Sequence, residues 1–315
     1  MSRLFRDVEG GPLCPQGSVV CIGAFDGLHL GHHALVRRAV SRARALEVPS
    51  VALSFEPLPR EFFARDVPAP RLTLPGAKFE GLCALGVDLV GLLRFDAKLA
   101  AKTAEEFAGG VLVDRLRARE VWVGPEFRFG RARAGDLHTL QSLGADNGFT
   151  AHAIDAVDDG IRISSTRIRN ALAAGDFAAA SRLLGRPFMI GGRVVRGNRL
   201  GRTLGYPTAN LRFGGKSPPL SGIFAVRVHG IGAEALPAVA SFGTRPTIGG
   251  REPLLEVHVF DFDGDLYGRR IDVEFVARLR DEQAFVDLPA LVEQMHRDAA
   301  QARALLDVLP RQAYA

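Results

Sequence analysis

Cysteine is scarce in this sequence, with three residues in a chain of 315. The odd count and the lack of a Cys-x-x-Cys pair argue against a disulfide framework and against structural zinc. No uninterrupted apolar run reaches the roughly 18 residues that a membrane-spanning helix needs. Charged residues interrupt the first stretch of the chain, so no signal peptide is indicated. We therefore expect a reduced, cytoplasmic protein.

Lysine is also scarce, because only Lys78, Lys98, Lys102 and Lys216 stand among the 40 basic residues. The others are arginines, which form planar, bidentate pairs with phosphate and keep their charge. No Gly-x4-Gly-Lys-Ser/Thr motif occurs, which disfavours a Walker-type ATPase. The net charge of +5 is mild and unclustered, so it suits anionic small molecules as well as nucleic acid.

Length and composition predict two globular domains. The chain has 315 residues, of which 47% are hydrophobic and 24% charged, and a domain usually has about 150 residues. Strands alternate with helices over residues 1–185, and this alternation predicts a parallel sheet covered on both faces. Thr103 and Glu106 are spaced as a capping box at the start of a helix. The predicted strands are 18–22, 50–55, 88–93, 121–123 and 150–156, and the predicted helices are 31–47, 103–118 and 137–147.

The pattern changes near Gly185. Short β-branched runs then alternate with glycine and proline, which predicts an antiparallel barrel or sandwich over residues 186–315. A terminal helix follows, because apolar residues from Leu288 to Leu306 recur at helical spacing on one face. The predicted strands of this domain are 193–196, 222–228, 238–242, 254–260 and 271–276.

A segment rich in glycine and histidine follows the first predicted strand. Residues 23–33 read Gly-Ala-Phe-Asp-Gly-Leu-His-Leu-Gly-His-His and lead into a predicted helix. The glycines allow a tight turn, and a helix N-terminus offers unpaired N–H groups to an anion. His29 and His32 add donors, so the segment predicts a polyphosphate site. The alternatives are a glycine turn with two surface histidines and a metal site with His33, although no carboxylate or cysteine follows at a familiar ligand spacing.

The order of strand, Gly-x-Phe-Asp-Gly-x-His-x-Gly-His and helix resembles the nucleotidyltransferase superfamily, whose histidine pair binds ATP phosphates. The resemblance implies a Rossmann-like domain. Residues 163–169 read Ile-Ser-Ser-Thr-Arg-Ile-Arg, and in this superfamily such a segment faces the phosphates from the opposite side. A helix N-cap is the alternative, and it can hold at the same time. The implied ATP-binding residues are Gly23, Phe25, Asp26, Gly27, His29, Gly31, His32, Ser164, Ser165, Thr166 and Arg169.

A loop rich in glycine, arginine and phenylalanine spans residues 124–136. Its phenylalanines predict contact with a ligand or partner, or else core packing of a loop that folds back. Here the sequence is similar to bacterial bifunctional riboflavin kinase–FAD synthetases, in which this loop helps to hold the flavin. The resemblance covers about residues 12–308. The implied flavin-binding residues of the first domain are Phe55, Pro57, Arg71, Glu126, Phe127 and Phe129.

Three positions depart from the pattern that is usual in that family. Leu58 stands where histidine is usual, and Glu126 stands where aspartate or asparagine is usual. A charged pair is usual where residues 76–78 read Gly-Ala-Lys.

A second basic, glycine-rich loop lies within residues 192–211. Thr208 and Asn210 are two residues apart, which places both on one face of an extended segment. Their hydroxyl and amide oxygens are hard ligands suited to Mg²⁺ beside nucleotide phosphates. A plain turn followed by a strand is the alternative. Together with the glycines the segment resembles the riboflavin kinase signature, which implies a six-stranded barrel. The implied ATP- or flavin-binding residues are Gly197, Gly201, Arg202, Gly205, Pro207, Thr208, Asn210, Arg280 and Phe285, with Mg²⁺ on Thr208 and Asn210.

Glu256 stands in an otherwise apolar strand, so its carboxylate is either paired structurally or catalytic. The resemblance implies that it is the general base for the riboflavin 5′-hydroxyl, while His29, His32 and Arg169 stabilise charge in adenylyl transfer. The implied reactions consume ATP, form FMN from riboflavin and then FAD from FMN.

Two rival functions remain at this stage. The first domain could use another acceptor, such as a pantetheine or nicotinamide phosphate, although the 124–136 loop and the second domain argue against it. The second domain could be a basic barrel that binds RNA, but its strands lack interleaved aromatic residues for base stacking. We expect small-molecule partners, no nucleic acid and no membrane, and the oligomeric state stays open.

Overall fold

The computed structural model describes residues 3–66, 68–197, 204–243 and 253–309. The chain divides into two compact units. The first comprises Met1–Ala69 and Pro75–Ser164, and the second comprises Pro70–Leu74 and Ser165–Ala315. In the described part of the chain, no helix has both the length and the apolar character needed to cross a membrane.

The first unit is built on a six-stranded sheet in which each neighbouring pair is parallel. This confirms the predicted parallel sheet. The strand order is β1-β4-β3-β2-β5-β6. The strands are β1 (Arg3–Phe5), β2 (Ser18–Ile22), β3 (Ser50–Glu56), β4 (Leu89–Arg94), β5 (Ala118–Val123) and β6 (Thr150–Ala153).

Helices cover this sheet, and the central strand β2 is buried along its whole length. Val20 and Ile22 lie in one hydrophobic core, whereas Val19 and Cys21 lie in another, because alternate side chains of a strand point to opposite faces. The α-helices described in this unit are α1 (Leu30–Ala45), α2 (Pro59–Phe62), α3 (Pro75–Ala84), α4 (Ala97–Ala101), α5 (Ala104–Phe107) and α6 (Leu137–Asn147).

The helix predicted at 103–118 begins as expected but changes type. Thr103 and Glu106 form the capping box, each side chain bonding to the other's backbone N–H. From Ala108 to Arg115 the helix widens into a π-helix, which contains Gly109 and Gly110. Glycine disfavours a helix interior, so we infer that tertiary packing, and not local helix propensity, determines the conformation of this segment.

The second unit contains an antiparallel sheet of six strands, which confirms the predicted antiparallel architecture. The order is β7-β12-β9-β10-β11-β8. A bridge between Val195 and Asn210 brings the two outer strands together, so the sheet forms a nearly closed barrel. The strands are β7 (Met189–Arg193), β8 (Ala209–Arg212), β9 (Gly222–His229), β10 (Leu236–Gly243), β11 (Leu254–Val259) and β12 (Arg270–Arg280).

Within the described residues of this unit, three helices accompany the barrel: α7 (Ser165–Ala173), α8 (Phe177–Leu184) and α9 (Leu288–Val308). The predicted terminal helix α9 packs Ala302 and Leu306 against Ala225 and Phe260. Phe177 of α8 lies within 6.2 Å, ring to ring, of Phe224 and Phe275 on the barrel. Helix α8 therefore packs with the second unit, although the sequence pattern placed residues up to 185 in the first domain.

Candidate functional site

The turn between β2 and α1 has an unusual backbone. Phe25 and Leu28 are buried and lie in the left-handed region, with φ of 46° and 48°. Such conformations are strained for residues with a side chain and are concentrated at functional sites. Gly23 leaves space for the Phe25 ring, because a methyl group there would lie 3.0 Å from it. The Phe25 side chain belongs to the core, so any contact it makes with a nucleotide comes from its backbone.

His29 and His32 form a stacked pair at the start of α1. Their ring centroids are 3.7 Å apart, and the Nδ1 of His29 accepts a hydrogen bond from the backbone N–H of His32 at 3.3 Å. Gly31 lies under this pair, since a methyl group there would lie 3.2 Å from the His29 ring and 3.9 Å from the carbonyl oxygen of Ile163. The backbone next to Ser164 therefore lies beside the histidine turn.

The Nδ1 of His32 is buried, and it has no hydrogen-bond partner within the described segments. Burial holds the pKa of His32 well below its ordinary value of 6.5, and the neighbouring His29 and Lys78 lower it further. His32 is thus neutral at neutral pH, so it can offer a hydrogen bond to a ligand but not a charge. Among the described residues no group of three or more histidine, cysteine or acidic side chains could hold a metal ion.

Two other polar residues of the turn are held by distant elements. The fully buried carboxylate of Asp26 forms an ion pair with Arg60 of α2. The carbonyl of Ala24 accepts from Lys78 Nζ at 2.7 Å and from Ser54 Oγ at 3.1 Å. No motif in the sequence indicates a role for Lys78, which lies about fifty positions from the turn in the chain.

The Ser-Ser-Thr-Arg segment is divided between the two units. Ser164 belongs to the first unit, whereas Ser165 and Thr166 begin α7 in the second. Arg169 donates from its Nε to the carbonyl of Pro70 at 2.6 Å, within the second unit. Their joint action at the ATP phosphates stays a prediction.

An aromatic cluster lies near the carboxyl end of β3, the edge at which parallel sheets bind ligands. The Phe55 ring meets that of Phe95 edge-on at 5.7 Å, and Phe95 also faces Phe62 at 5.4 Å and Phe63 at 5.8 Å. Phe63 is 61% exposed. Phe55 was predicted from the sequence, whereas the other three phenylalanines were not, because they share no motif with it. Pro57 follows Glu56 through a cis peptide bond in the same region.

The other predicted flavin residues differ in their surroundings. Phe129 is buried in the core, packs on Phe107 and is stacked on the partly buried Phe127 at 5.3 Å. The core alternative therefore accounts for Phe129. Glu126 is largely exposed and pairs with Arg162. Arg71 is fully buried and belongs to the second unit, where its backbone N–H donates to Ser217. The flavin roles of all four stay predictions.

In the second unit, the structure places Asn210 and Glu256 directly opposite each other on β8 and β11. Ser241 of β10 flanks Glu256 on its other side. Asn210 is buried and its Nδ2 donates to the carbonyl of Thr208 at 3.2 Å. A methyl group on Gly197 would lie 2.7 Å from the Asn210 amide, so only glycine permits this close approach. Four of the predicted kinase residues, Gly197, Thr208, Asn210 and Glu256, thus come together.

A cavity of about 390 Å³ adjoins this cluster. Pro207 and Thr208 line one part of it, and Phe262, Asp263 and Tyr267 line another. Asp263 and Asp265, which also line the cavity, belong to no motif from which a site was predicted. Gly205 has a φ of 80°, which glycine tolerates in the turn before Pro207. Gly201 and Arg202 lie outside the described residues.

Arg280 is held inside the protein. Its Nε and Nη2 bind the buried Asp298 of α9 at 2.9 and 2.7 Å, and its Nη1 donates to the carbonyl of Asp281. The guanidinium also lies 5.7 Å from the centre of the Phe285 ring. These contacts favour a structural role for Arg280 and Phe285. Their contact with ATP or flavin stays a prediction.

Glu282 is a second carboxylate near Glu256. Its oxygens lie against the backbone of Gly243, where a methyl group would overlap them. Burial raises the pKa of Glu282, and the Glu256 carboxylate raises it further. Glu282 was not among the site residues predicted from the sequence.

Comparison with known proteins gives two adjoining family matches. The FAD synthetase family matches residues 12–167, and the riboflavin kinase family matches residues 184–306. A protein of Escherichia coli (strain K12) named bifunctional riboflavin kinase/FMN adenylyltransferase is 44% identical over 303 residues, which are 96% of this chain and 97% of that protein. A protein of the same name from Pseudomonas fluorescens is 47% identical over 292 residues, which are 92% and 93% of the two chains.

Among solved structures, a crystal structure titled as a macrolide-efflux protein from Streptococcus pneumoniae is similar in fold. It aligns with a TM-score of 0.77 and 32% identity, covering 96% of this chain and 99% of its own.

Proposed function

The chain belongs to the family of bifunctional riboflavin kinase/FMN adenylyltransferases, and from that premise we propose how its residues perform the two reactions. The enzyme phosphorylates riboflavin to FMN and then transfers an adenylyl group from ATP to FMN, which gives FAD and pyrophosphate. One observation carries this proposal: each of the two family matches contains its own cluster of polar side chains. These are the histidine turn in residues 12–167 and the Asn210–Glu256 pair in residues 184–306.

We assign FMN adenylyltransferase activity to residues 1–185 and riboflavin kinase activity to residues 186–315. The family matches, which end at 167 and begin at 184, support this assignment. The compact units place residues 165–184 with the barrel, so the boundary at 185 stays a prediction. The expected cytoplasmic location also stays a prediction.

In the kinase reaction, the riboflavin 5′-hydroxyl attacks the γ-phosphorus of ATP while its proton passes to a base. Glu256 is the proposed base, because its carboxylate stands on the strand face shared with Asn210 and Ser241. The bond between the γ-phosphorus and the β–γ bridging oxygen breaks, and ADP leaves. Positioning and charge stabilisation supply most of the acceleration in such transfers.

Thr208 and Asn210 are the proposed residues for Mg²⁺. The donor set fits a hard cation, since the Asn210 amide donates its N–H to the carbonyl of Thr208, which leaves the amide oxygen as an acceptor. The ion, when bound, would neutralise charge on the ATP phosphates. The cavity beside Pro207, Phe262 and Tyr267 is the proposed place for the nucleotide.

In the adenylyl transfer, the FMN phosphate attacks the α-phosphorus of ATP and pyrophosphate leaves. The nucleophile is already anionic, so the enzyme needs no base for it. The N-terminus of α1 and the buried Nδ1 of His32 are the proposed donors to the phosphates. The aromatic cluster of Phe55, Phe62, Phe63 and Phe95 is the proposed apolar wall for the flavin ring.

A chromatographic assay tests both activities. The chain is incubated with riboflavin, ATP and Mg²⁺, and FMN and FAD are resolved over time. We expect FMN to appear first and FAD to follow. Formation of neither product would refute the proposal, and formation of FAD from supplied FMN alone would remove the kinase half of it.

A further inference from the structure

Lys78 is the fully buried member of the four lysines, the other three being partly or fully exposed. Lysine is almost never fully buried unless its ammonium is held by partners. Lys78 Nζ donates to the carbonyl of Ala24 at 2.7 Å and to Ser54 Oγ at 3.1 Å. Burying an ammonium group is costly, so its place beside the histidine turn calls for a functional reason.

Helix α3, which carries Lys78, supports the turn at two points. Lys78 holds the Ala24 carbonyl, and Gly81, one helical turn later, accommodates the Leu28 side chain. A methyl group on Gly81 would lie 2.3 Å from Leu28 Cδ1. One contact is therefore made just before the strained Phe25, and the other is made by the strained Leu28 itself. Helix α3 therefore holds the backbone that presents the histidine pair.

The charge of Lys78 contributes an electrostatic effect that its hydrogen bonds alone would not give. A neutral amide of similar length could donate to the same carbonyl and hydroxyl oxygens. The ammonium, however, is held at the Ala24 carbonyl, within the turn that carries the histidine pair, and its charge contributes to the low pKa of His32. In a site sheltered from water, a fixed positive charge stabilises an anion more strongly than it does in solution.

We propose that Lys78 is a positioning residue for adenylyl transfer: its ammonium fixes the Ala24 carbonyl, and with it the turn that presents His29 and His32, and its charge favours the ATP phosphates bound there. The proposal rests on the proposed function of the first unit. It distinguishes Lys78 from a core residue that only stabilises the fold.

The test uses the full chain and its two activities. Lys78→Gln keeps a donor but removes the charge, and Lys78→Met removes both. Lys98→Met is the matched control, because Lys98 is exposed and pairs with Glu9 on the surface of the same unit. For each variant we would measure KM for ATP and kcat in FAD formation from supplied FMN, riboflavin phosphorylation, and the melting temperature.

Lys78→Gln should lower kcat/KM for ATP in FAD formation by about tenfold or more. Lys78→Met should lower it further, and Lys98→Met should leave it unchanged. Riboflavin phosphorylation should stay near wild type in all three. Wild-type ATP kinetics in Lys78→Gln would overturn the proposal. So would unfolding of both neutral variants, because Lys78 would then serve folding alone. A wild-type chain that makes no FAD from FMN would instead refute the proposed function.

Discussion

Replacing Glu256 by glutamine separates a catalytic role of this residue from a structural one. The substitution keeps the shape and hydrogen-bonding capacity of the side chain but removes its basicity. Glu256 stands between Asn210 and Ser241 on neighbouring strands, and it is only partly buried. The change in packing is therefore small, so the kinase reaction reports mainly on the lost base.

The two roles predict effects of different size. A general base typically contributes about 10²- to 10⁴-fold, so its loss raises the barrier of the reaction by about 2.7–5.4 kcal/mol. A structural carboxylate that loses its charge would instead destabilise the fold by about 1–3 kcal/mol. In a unit of this size that corresponds to a fall in melting temperature of about 2–12 °C. Riboflavin affinity would then fall together with stability.

A matched control comes from β12. Glu274 is buried and bonds to His229 at 2.8 Å, with Arg227 3.6 Å away. Glu274→Gln should therefore show the effect of a structural carboxylate, which is a fall in melting temperature together with riboflavin affinity. We would measure kcat for riboflavin phosphorylation, riboflavin affinity and melting temperature in both variants, and FAD formation from supplied FMN. Glu256→Gln should lose kcat by about 100-fold or more at unchanged riboflavin affinity. Near-normal turnover in a stable Glu256→Gln protein would refute the base assignment.

The remaining predictions concern both units. The double substitution of His29 and His32 by alanine should stop FAD formation and let FMN accumulate, since it removes the buried donor at the proposed phosphate site; undiminished FAD output from FMN would contradict this. The pKa of His32 lies below 6.5 in the folded protein, so His32 takes up a proton when the protein unfolds at acidic pH. The free energy of unfolding should therefore fall as the pH drops from 7 toward 5, and denaturant titrations should show a smaller fall in His32→Gln. A fragment of residues 165–315 should melt higher than one of residues 186–315, because loss of Phe177 alone removes about 1.5–3 kcal/mol of burial; equal melting temperatures would count against this packing. Asp298→Ala should destabilise the barrel by about 3–5 kcal/mol and lower riboflavin phosphorylation, since it removes the carboxylate that neutralises the Arg280 guanidinium; an unchanged melting temperature would show that the pair is dispensable.

Elements with a strong local signal were predictable from sequence. The largely apolar run 18–22 predicted β2, because a strand that is buried on both faces is almost continuously apolar. The short edge strand β1 gave no such signal, because two of its three residues are exposed and one is charged. The widening of the 103–118 helix was equally hidden, since the capping pattern of Thr103 and Glu106 describes only the first turn.

The histidine turn was predictable because its residues are close in sequence. Glycines, a histidine pair and the start of a helix lie within eleven positions, and the property that each contributes can be recognised from the sequence alone. The partners that hold the turn, Arg60 and Lys78, come from two other helices. Nothing local distinguishes Lys78 from a surface lysine, so only the packed structure indicates its role.

Arg280 shows the opposite situation: the family resemblance predicts a ligand contact for a residue that also has partners within the fold, and that contact stays a prediction. Its carboxylate partner Asp298 lies eighteen positions later, on a helix whose docking cannot be read from the sequence of β12. A guanidinium has five N–H donors, and the described contacts engage the Nε, Nη1 and Nη2 groups. An arginine held in this way aligns the loop that carries Glu282 and Phe285, and it can affect the kinase site without touching a substrate. The effect of Asp298→Ala on KM for riboflavin and on kcat therefore bears on the assignment of Arg280. A ligand contact predicts a rise in KM, whereas a brace predicts a loss of kcat that follows the loss of stability.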